Sequence, residues 1–188
     1  MTFRTTLLTL ACVAGLMAGS QDPAQTKKAS ASTIGPVAFQ TFAEGTYFHL
    51  NSRATYAELS TLTPALAKRL SALLKEAGLQ TFGPLLMIQR GTSEDPSKSF
   101  DLEVGILAPK GTKPFGEAKV RVLSAFPCAT TMASGDFAGE SGKTAFMALF
   151  KAAQEKGRIP TGEFRELLLF WEGQGSANNL MQVQVGLQ

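Results

Sequence analysis

Residues 100–106 read Phe-Asp-Leu-Glu-Val-Gly-Ile, and residues 181–187 read Met-Gln-Val-Gln-Val-Gly-Leu. Both stretches alternate apolar and polar side chains and have glycine at the sixth position, so each predicts a half-buried strand of the same design. Around each of them lies the same order of elements: an extended segment, an amphipathic helix, a small-residue break and two extended segments. The sequence therefore predicts an internal duplication, with repeats at about 36–109 and 116–188.

The duplication also predicts where a pocket lies. Residues 46–56 are placed over residues 127–137, and each segment ends in an aromatic side chain, Tyr56 or Phe137, just before a helix. This alignment puts Cys128 at the position of Tyr47. Because a half that cannot bury its apolar face alone is completed by its copy, the seam between the copies is the expected pocket.

Two helices and eight strands are predicted. Thr63 caps the first helix, Pro64 takes its first position and Gly78 ends it. The second helix runs from about residue 142 to 156 and ends at Gly157. Strand patterns lie at 37–42, 46–51, 85–89, 99–107, 118–123, 129–133, 166–171 and 180–187. The predicted class is α+β, a duplicated β-α-β-β unit whose mainly antiparallel eight-stranded sheet carries two helices.

The N-terminal segment predicts export. Residues 1–20 combine Arg4, an apolar run too short to span a bilayer and a small-residue cleavage site, as in a secretory signal peptide. Residues 21–35 are polar and predict a disordered linker, so the domain spans residues 36–188. Lipidation at Cys12 is not favoured, because Thr9 stands where leucine is usual. We expect a secreted or periplasmic protein without a transmembrane segment.

Charge and composition remove several classes of function. The formal net charge is +3, and without Arg4 it is +2, with no basic cluster that predicts nucleic-acid binding. After cleavage Cys128 is the one cysteine left, so no intramolecular disulfide forms and a buried, inert thiol is expected. His49 is the one histidine, and no glycine-rich phosphate loop occurs. No cofactor or metal site is predicted, and the sequence does not determine the oligomeric state.

Polar side chains inside apolar strands are the remaining candidates for a functional site. They are Asp101, Glu103, Gln182, Gln184 and Glu166. Strand alternation can place each of them on a solvent-facing surface, and this interpretation is favoured for Asp101 and Glu103. Alternatively, some of them line a concave site in which a buried carboxylate or amide orients an apolar ligand. Glu166 is the preferred carboxylate.

Aromatic residues and methionines complete the candidate site. Most such side chains are ordinary core residues in proteins, but here they recur at matching places in the two halves. The predicted ligand-binding set is Phe48, Tyr56, Met87, Glu103, Met132, Phe137, Glu166, Leu168, Trp171 and Gln182.

The doubled pattern from residue 37 to residue 188 resembles the GyrI-like small-molecule-binding domains, the effector-binding domains of bacterial transcription activators, which share a SOUL-like doubled fold. Residues 77–84, Ala-Gly-Leu-Gln-Thr-Phe-Gly-Pro, are similar to the family's helix-ending pattern. Residues 100–105 are similar to its first closing strand, and Arg165-Glu166 resembles its Arg-Glu pair.

The resemblance implies a ligand site between the halves. Family members bind lipophilic, often cationic compounds, so Glu166 would meet a positive group, Tyr56 and Phe137 would form the rims, and Trp171 would stack on the ligand. The family usually carries glutamate where Gln182 stands, which makes a neutral ligand plausible. Regulation of transcription is not implied, because the predicted signal peptide and linker precede the doubled unit.

Three functions follow as expectations. The first is an exported, non-catalytic binder of a small lipophilic compound, cationic or neutral and aromatic. The second is a hydrolase of strained electrophilic molecules, with Glu166 and Trp171 in the pocket. The third is haem binding through His49. Catalysis is not favoured.

Overall fold

The computed structural model describes residues 33–80, 83–135, 140–173 and 176–188, with backbone alone at 140 and 141. These residues form nine strands and two helices. The strands are β1 (Thr33–Ile34), β2 (Ala38–Phe42), β3 (Gly45–Ala54), β4 (Leu85–Arg90), β5 (Phe100–Ala108), β6 (Lys119–Leu123), β7 (Phe126–Ser134), β8 (Pro160–Phe170) and β9 (Leu180–Leu187), and the helices are α1 (Leu59–Glu76) and α2 (Glu140–Glu155).

One sheet contains all nine strands. Its order is β1-β7-β9-β8-β4-β5-β3-β6, β2 also pairs with β7, and every one of these pairings is antiparallel. The predicted fold class and doubled unit are confirmed: β3-α1-β4-β5 is repeated as β7-α2-β8-β9. The two copies meet where β4 pairs with β8, from Leu85 opposite Leu168 to Arg90 opposite Glu163.

The short strand β1 is the ninth and was not predicted. It lies within the segment assigned to the linker, because Thr33 and Ile34 pair with β7 and Gly35 N–H donates to the Met132 carbonyl. The predicted signal peptide lies outside the described residues. None of the helices in the described part of the chain has the length and apolar character that a bilayer span needs.

In each half, the first strand pairs with a strand of the other half, and this exchange makes the sheet curl. β2 precedes β3 but pairs with β7, whereas β6 precedes β7 but pairs with β3. In a flat sheet β2 and β3 would be six strand spacings apart, about 29 Å. Phe42 and Gly45 are three residues apart and span at most about 11 Å. The sheet is therefore curled until its two edges approach each other.

Curling gives the sheet two different faces. Both helices pack on one face, which we call the helix face: α1 covers β3 and β5, and α2 covers β7 and β9. The other, which we call the inner face, lines the inside of the roll. Tyr47, Ile88 and Gln184 are almost fully buried there. The curl of the sheet accounts for this burial, because both helices pack on the opposite face.

Helix α1 begins earlier than predicted. It starts at Leu59 rather than beside Thr63, so Pro64 lies inside it. The proline removes one helical hydrogen bond, but Leu59 and Leu62 pack against the core cluster that contains Phe100. Burial of these leucines extends the helix past the position that proline normally marks.

Strand register corrects the predicted alignment of the two halves. Gly105 stands opposite His49, and Gly186 stands opposite Cys128. Because the two glycines are equivalent, Cys128 corresponds to His49 and not to Tyr47, so the predicted alignment of β3 with β7 is wrong by two residues. A shift of two preserves the alternation of side chains, and the sequence pattern could not exclude it.

The corrected register shows why both glycines are needed. A Cβ atom added to Gly105 would lie 2.6 Å from the Tyr47 ring, and one added to Gly186 would lie 2.7 Å from the Phe126 ring. Tyr47 and Phe126 are equivalent in the two halves. In each half, glycine thus leaves room for an aromatic ring on the inner face.

Candidate functional site: a groove over the seam

The central strands β4 and β8 lie between the two helices. Because α1 packs over β3 and β5, and α2 over β7 and β9, the pair β4–β8 forms the floor of a groove on the helix face. Four of the six floor residues keep part of their surface exposed, whereas residues under the helices are fully buried. We call this region the seam groove and define it by Leu85, Met87, Gln89, Phe164, Glu166 and Leu168.

Glu166 is the acidic residue of the seam groove. Met87 stands opposite it on β4 and Val183 opposite it on β9. The Gln89 side chain donates from Nε2 to Glu166 Oε1 at 2.9 Å. Burial raises the pKa of Glu166 to about 7, and the hydrogen bond from Gln89 lowers it by a smaller amount. Although Glu166 is partly exposed as a residue, its carboxyl is desolvated because its strand neighbours are apolar.

The two carboxyl oxygens of Glu166 differ in their hydrogen bonds to the described residues. Among the described residues, Oε2 accepts no hydrogen bond and Glu166 makes no ion pair. No buried side-chain oxygen or nitrogen in the described part of the chain lacks a partner. Oε2 is therefore the carboxyl oxygen of Glu166 that accepts no hydrogen bond from the described residues.

Gln89 was not predicted as a site residue, yet it is the counterpart of Glu166 in the first half. Gln89 stands opposite Leu102, and Glu166 stands opposite Val183. Leu102 and Val183 are equivalent when Gly105 is placed over Gly186, so the duplication puts an amide and an acid at the same position. The sequence alignment of the two closing strands already makes Leu102 and Val183 equivalent. Only the strand pairing shows that Gln89 and Glu166 stand opposite these two residues.

The inner face carries a chain of alternating charges. Glu163 accepts from Arg165 and, at 2.7 Å, from Arg90 Nε, while Arg90 also donates to Glu103 at 3.0 Å. Arg121 donates to the other oxygen of Glu103 at 2.7 Å. We call these five residues the inner ion-pair chain. It links β8 of the second half to β4, β5 and β6.

Glu103 differs electrostatically from Glu166. Burial acts to raise the pKa of Glu103, but the hydrogen bond from Arg121 and the charges of Arg90 and Arg121 outweigh it and hold that pKa below its usual value. Glu103 is therefore a structural anion with two guanidinium partners. Asp101 is exposed and lies 3.8 Å from Arg53, as predicted. The same solvent-facing prediction is wrong for Glu103, because its side chain is 12% exposed between two arginines.

Three of the predicted site residues lie on the inner face, opposite to Glu166. Glu103, Met132 and Gln182 point to the inner face. Each is next in sequence to a residue that packs on the helix face, and neighbouring side chains in a strand point to opposite faces. The sheet separates them from Glu166, so they do not share a pocket with it. Because Gln182 lies on the other face of the sheet, its neutral amide does not determine the charge of the seam groove.

The remaining predicted residues are distributed around the helix face. Met87 and Leu168 lie in the seam groove, whereas Phe48 is wholly buried under α1 as a core residue. The Tyr56 ring is 5.0 Å from that of Phe100, in the cluster that also holds Met87. Trp171 follows the end of β8 and is 42% exposed. The predicted rim residue Phe137 lies outside the described residues.

Neither His49 nor Cys128 faces the groove. The His49 ring stacks on Tyr47 at 4.7 Å on the inner face, and burial lowers its pKa. The buried Cys128 thiol has its pKa raised to about 11 by desolvation, which disfavours the reactive thiolate. Among the described residues no cluster of three histidine, cysteine or acidic side chains is arranged to hold a metal.

A separate cavity of about 180 Å³ lies beside β2, lined in part by Phe39, Cys128 and Arg158. It does not include any seam-groove residue. Its lining carries one charged group, the guanidinium of Arg158.

No family model and no curated protein matches this chain. Among solved structures, the C-terminal domain of EcmrR superposes with a TM-score of 0.68 at 17% identity, over 82% of this chain and 98% of that one. In the EcmrR–DNA complex, with a TM-score of 0.67 at 17% identity, 81% of this chain is matched to 57% of the EcmrR chain.

Two further structures share the fold. SAV2435, solved bound to tetraphenylphosphonium, superposes with a TM-score of 0.56 at 10% identity, over 81% of this chain and 94% of its own. A hydrolase from Listeria innocua encoded by lin2189 has a TM-score of 0.51 at 10% identity, over 81% of this chain and 91% of its own. This chain therefore shares the fold of these structures, as the resemblance to GyrI-like domains implied.

Proposed function

We propose that the seam groove binds a small lipophilic compound that carries a positive charge. The observation that carries the proposal is the environment of Glu166. Its carboxyl is desolvated, has one amide hydrogen bond and, among the described residues, makes no ion pair. A buried carboxylate without a counter-charge is costly, and a cationic ligand would supply the missing charge.

The position of Gln182 strengthens the cationic alternative over the neutral one. Its amide lies on the inner face and leaves the charge of the groove to Glu166. Because burial raises the pKa of Glu166 to about 7, both the protonated and the ionised form of its carboxyl occur near neutral pH. A cation favours the ionised form, so binding would be coupled to loss of this proton.

Tetraphenylphosphonium is a suitable first probe, because SAV2435 shares the fold and was solved with it. Tetraphenylborate has the same shape and the opposite charge. At pH 8 we expect the phosphonium to raise the melting temperature and the borate to leave it unchanged. Glu166→Gln should abolish the shift.

Glu103→Gln is the matched control, because it removes a carboxylate from the opposite face of the same sheet. Its melting temperature should fall, but the increment produced by the phosphonium should remain. An equal response to phosphonium and borate would show that shape alone drives binding, and the proposal would then be abandoned.

We further propose that the domain acts as an exported binding module. Arg4, the apolar run and the small-residue site before Gln21 support export. Expression of the full chain with its N-terminus intact, followed by mass spectrometry of the periplasmic and culture fractions, tests this. We expect a mature chain that begins near Gln21, and recovery of the intact chain from the cytoplasm alone would contradict export.

A hydrolase is the second candidate, because a carboxyl with a pKa near 7 is suited to act as a general base. In that case Glu166 would take a proton from water as the water oxygen bonded to a ring carbon and the ring C–O bond broke, and the protonated carboxyl would return this proton to the ring oxygen to give the diol. Incubation with styrene oxide and detection of the diol tests this. Turnover that Glu166→Gln abolishes would favour the enzyme, and its absence would favour simple binding.

A further inference from the structure

The duplication has put an amide and an acid side by side at the centre of the groove. Gln89 and Glu166 occupy equivalent positions, and their side chains are joined by a hydrogen bond of 2.9 Å across the seam. Gln89 is 3% exposed, so its amide is held in place rather than solvated. Glutamine and glutamate have nearly the same shape, and position 89 would therefore accommodate a second acid sterically.

A second acid at position 89 would change the charge of the site. Two carboxyls within hydrogen-bond distance cannot both ionise without strong repulsion, so they share one proton or require two positive charges nearby. The amide avoids this conflict, because its Nε2–H donates to the carboxylate and adds no charge. It also occupies Oε1 and leaves Oε2 as the oxygen that faces a ligand.

From this juxtaposition we infer that Gln89 is a specificity-determining residue, which sets the seam groove to accept ligands with one positive charge and to discriminate against dications. This inference rests on the proposed function and makes it narrower. Gln89 acts through Glu166: it orients the carboxylate and limits the groove to one acid. The ligand class is a lipophilic monocation whose charge lies on the Glu166 side of the seam.

Two matched probes test the inference. N-methyl-4-phenylpyridinium is a monocation, and methyl viologen is a dication of nearly the same shape with a second methylated ring nitrogen. We expect the wild-type protein to prefer the monocation at pH 8, by isothermal titration calorimetry. Gln89→Glu should shift the ratio of the two affinities toward the dication by about tenfold.

The double variant Gln89→Glu with Glu166→Gln is the decisive control. It keeps one acid and one amide and moves the acid to the equivalent position in the other half. We expect its preference for the monocation to return toward that of the wild type. If Gln89 only stabilised the fold, the double variant would not regain the preference for the monocation, because both positions are still substituted.

The possible outcomes distinguish failure of the inference about Gln89 from failure of the proposed function. If the wild type binds the monocation and Glu166→Gln loses it, but Gln89→Glu leaves the affinity ratio unchanged, the inference about Gln89 is wrong and the proposed function stands. If the wild type binds neither cation, both are wrong. Should Gln89→Glu fail to fold, the double variant decides, because loss of monocation binding in a folded double variant overturns the inference.

A measurement without ligand provides a second readout. Carboxyl ¹³C resonances of Gln89→Glu should show two coupled titrations, one of them well above the ordinary range. Two independent carboxyls with ordinary pKa values would show that the side chains are not in contact, which also overturns the inference.

Discussion

Glu103 and Glu166 lie on opposite faces of one sheet, and their carboxyls have pKa shifts of opposite sign. Glu103 is held by Arg90 and Arg121 on the inner face, and its pKa is lowered. Glu166 lies among apolar neighbours in the seam groove, and its pKa is raised to about 7. The first carboxylate therefore stabilises the fold, whereas the second costs stability when it ionises.

Glu166→Gln should make the protein more stable at alkaline pH. The folded pKa of about 7 exceeds the reference value of 4.5, so between these values the unfolded chain releases a proton that the folded chain retains. The free energy of unfolding consequently falls as pH rises through this window, by about 3 kcal/mol in total. The variant lacks this loss, and urea unfolding from pH 5 to pH 8 should show its advantage growing with pH. An advantage that does not change with pH would contradict the raised pKa.

Binding of the cation should depend on pH in the same window. If only the ionised form of Glu166 binds tetraphenylphosphonium, a pKa of about 7 makes the affinity rise about tenfold from pH 6 to pH 8. Calorimetry in buffers of different ionisation enthalpy should also detect a released proton. Binding that is independent of pH across this range would show that Glu166 does not meet the charge.

Glu103→Gln should destabilise the protein without affecting the ligand. The substitution leaves Arg90 and Arg121, each about one-third exposed, without their shared anion. We expect a loss of about 2 kcal/mol at pH 7, less than for a fully buried pair because solvent screens the arginines. This stabilisation is present above the reference pKa of 4.5 and is lost as pH falls through the lower folded pKa. Urea unfolding at pH 7 measures the loss, and a parallel loss of phosphonium affinity would contradict the separation of the two faces.

Gly105→Ala should be strongly destabilising, whereas Gly142→Ala should not. A Cβ atom at Gly105 would lie 2.4 Å from the Phe48 carbonyl oxygen and 2.6 Å from the Tyr47 ring. Backbone cannot move away easily, so we expect a loss of about 3 kcal/mol. Gly142 lies in α2 with nothing within 4 Å of an added Cβ, and alanine there should add up to about 1 kcal/mol. Thermal unfolding compares the two variants, and equal effects would show that the contact with Tyr47 is not tight.

The doubled unit could be predicted because its signals are local. Two closing strands with glycine at the same place, and an apolar stripe on each helix, occur at matching intervals, and the structure confirms the elements that they indicate. Helix α1 begins at Leu59 despite Pro64, because packing of Leu59 and Leu62 outweighs one lost hydrogen bond. That balance depends on contacts with β5, which are distant in the sequence.

The sequence by itself determined the duplication, the α+β class and the presence of a few polar side chains inside apolar strands. Only the tertiary structure decided that Glu166 and Gln89 share the seam groove while Glu103 and Gln182 lie on the inner face. The physical reason is that alternation of side chains has a period of two within a strand, whereas the register between strands depends on pairing and on how the sheet curls. A side chain's face, and with it the sign of its pKa shift, is therefore a property of the assembled sheet.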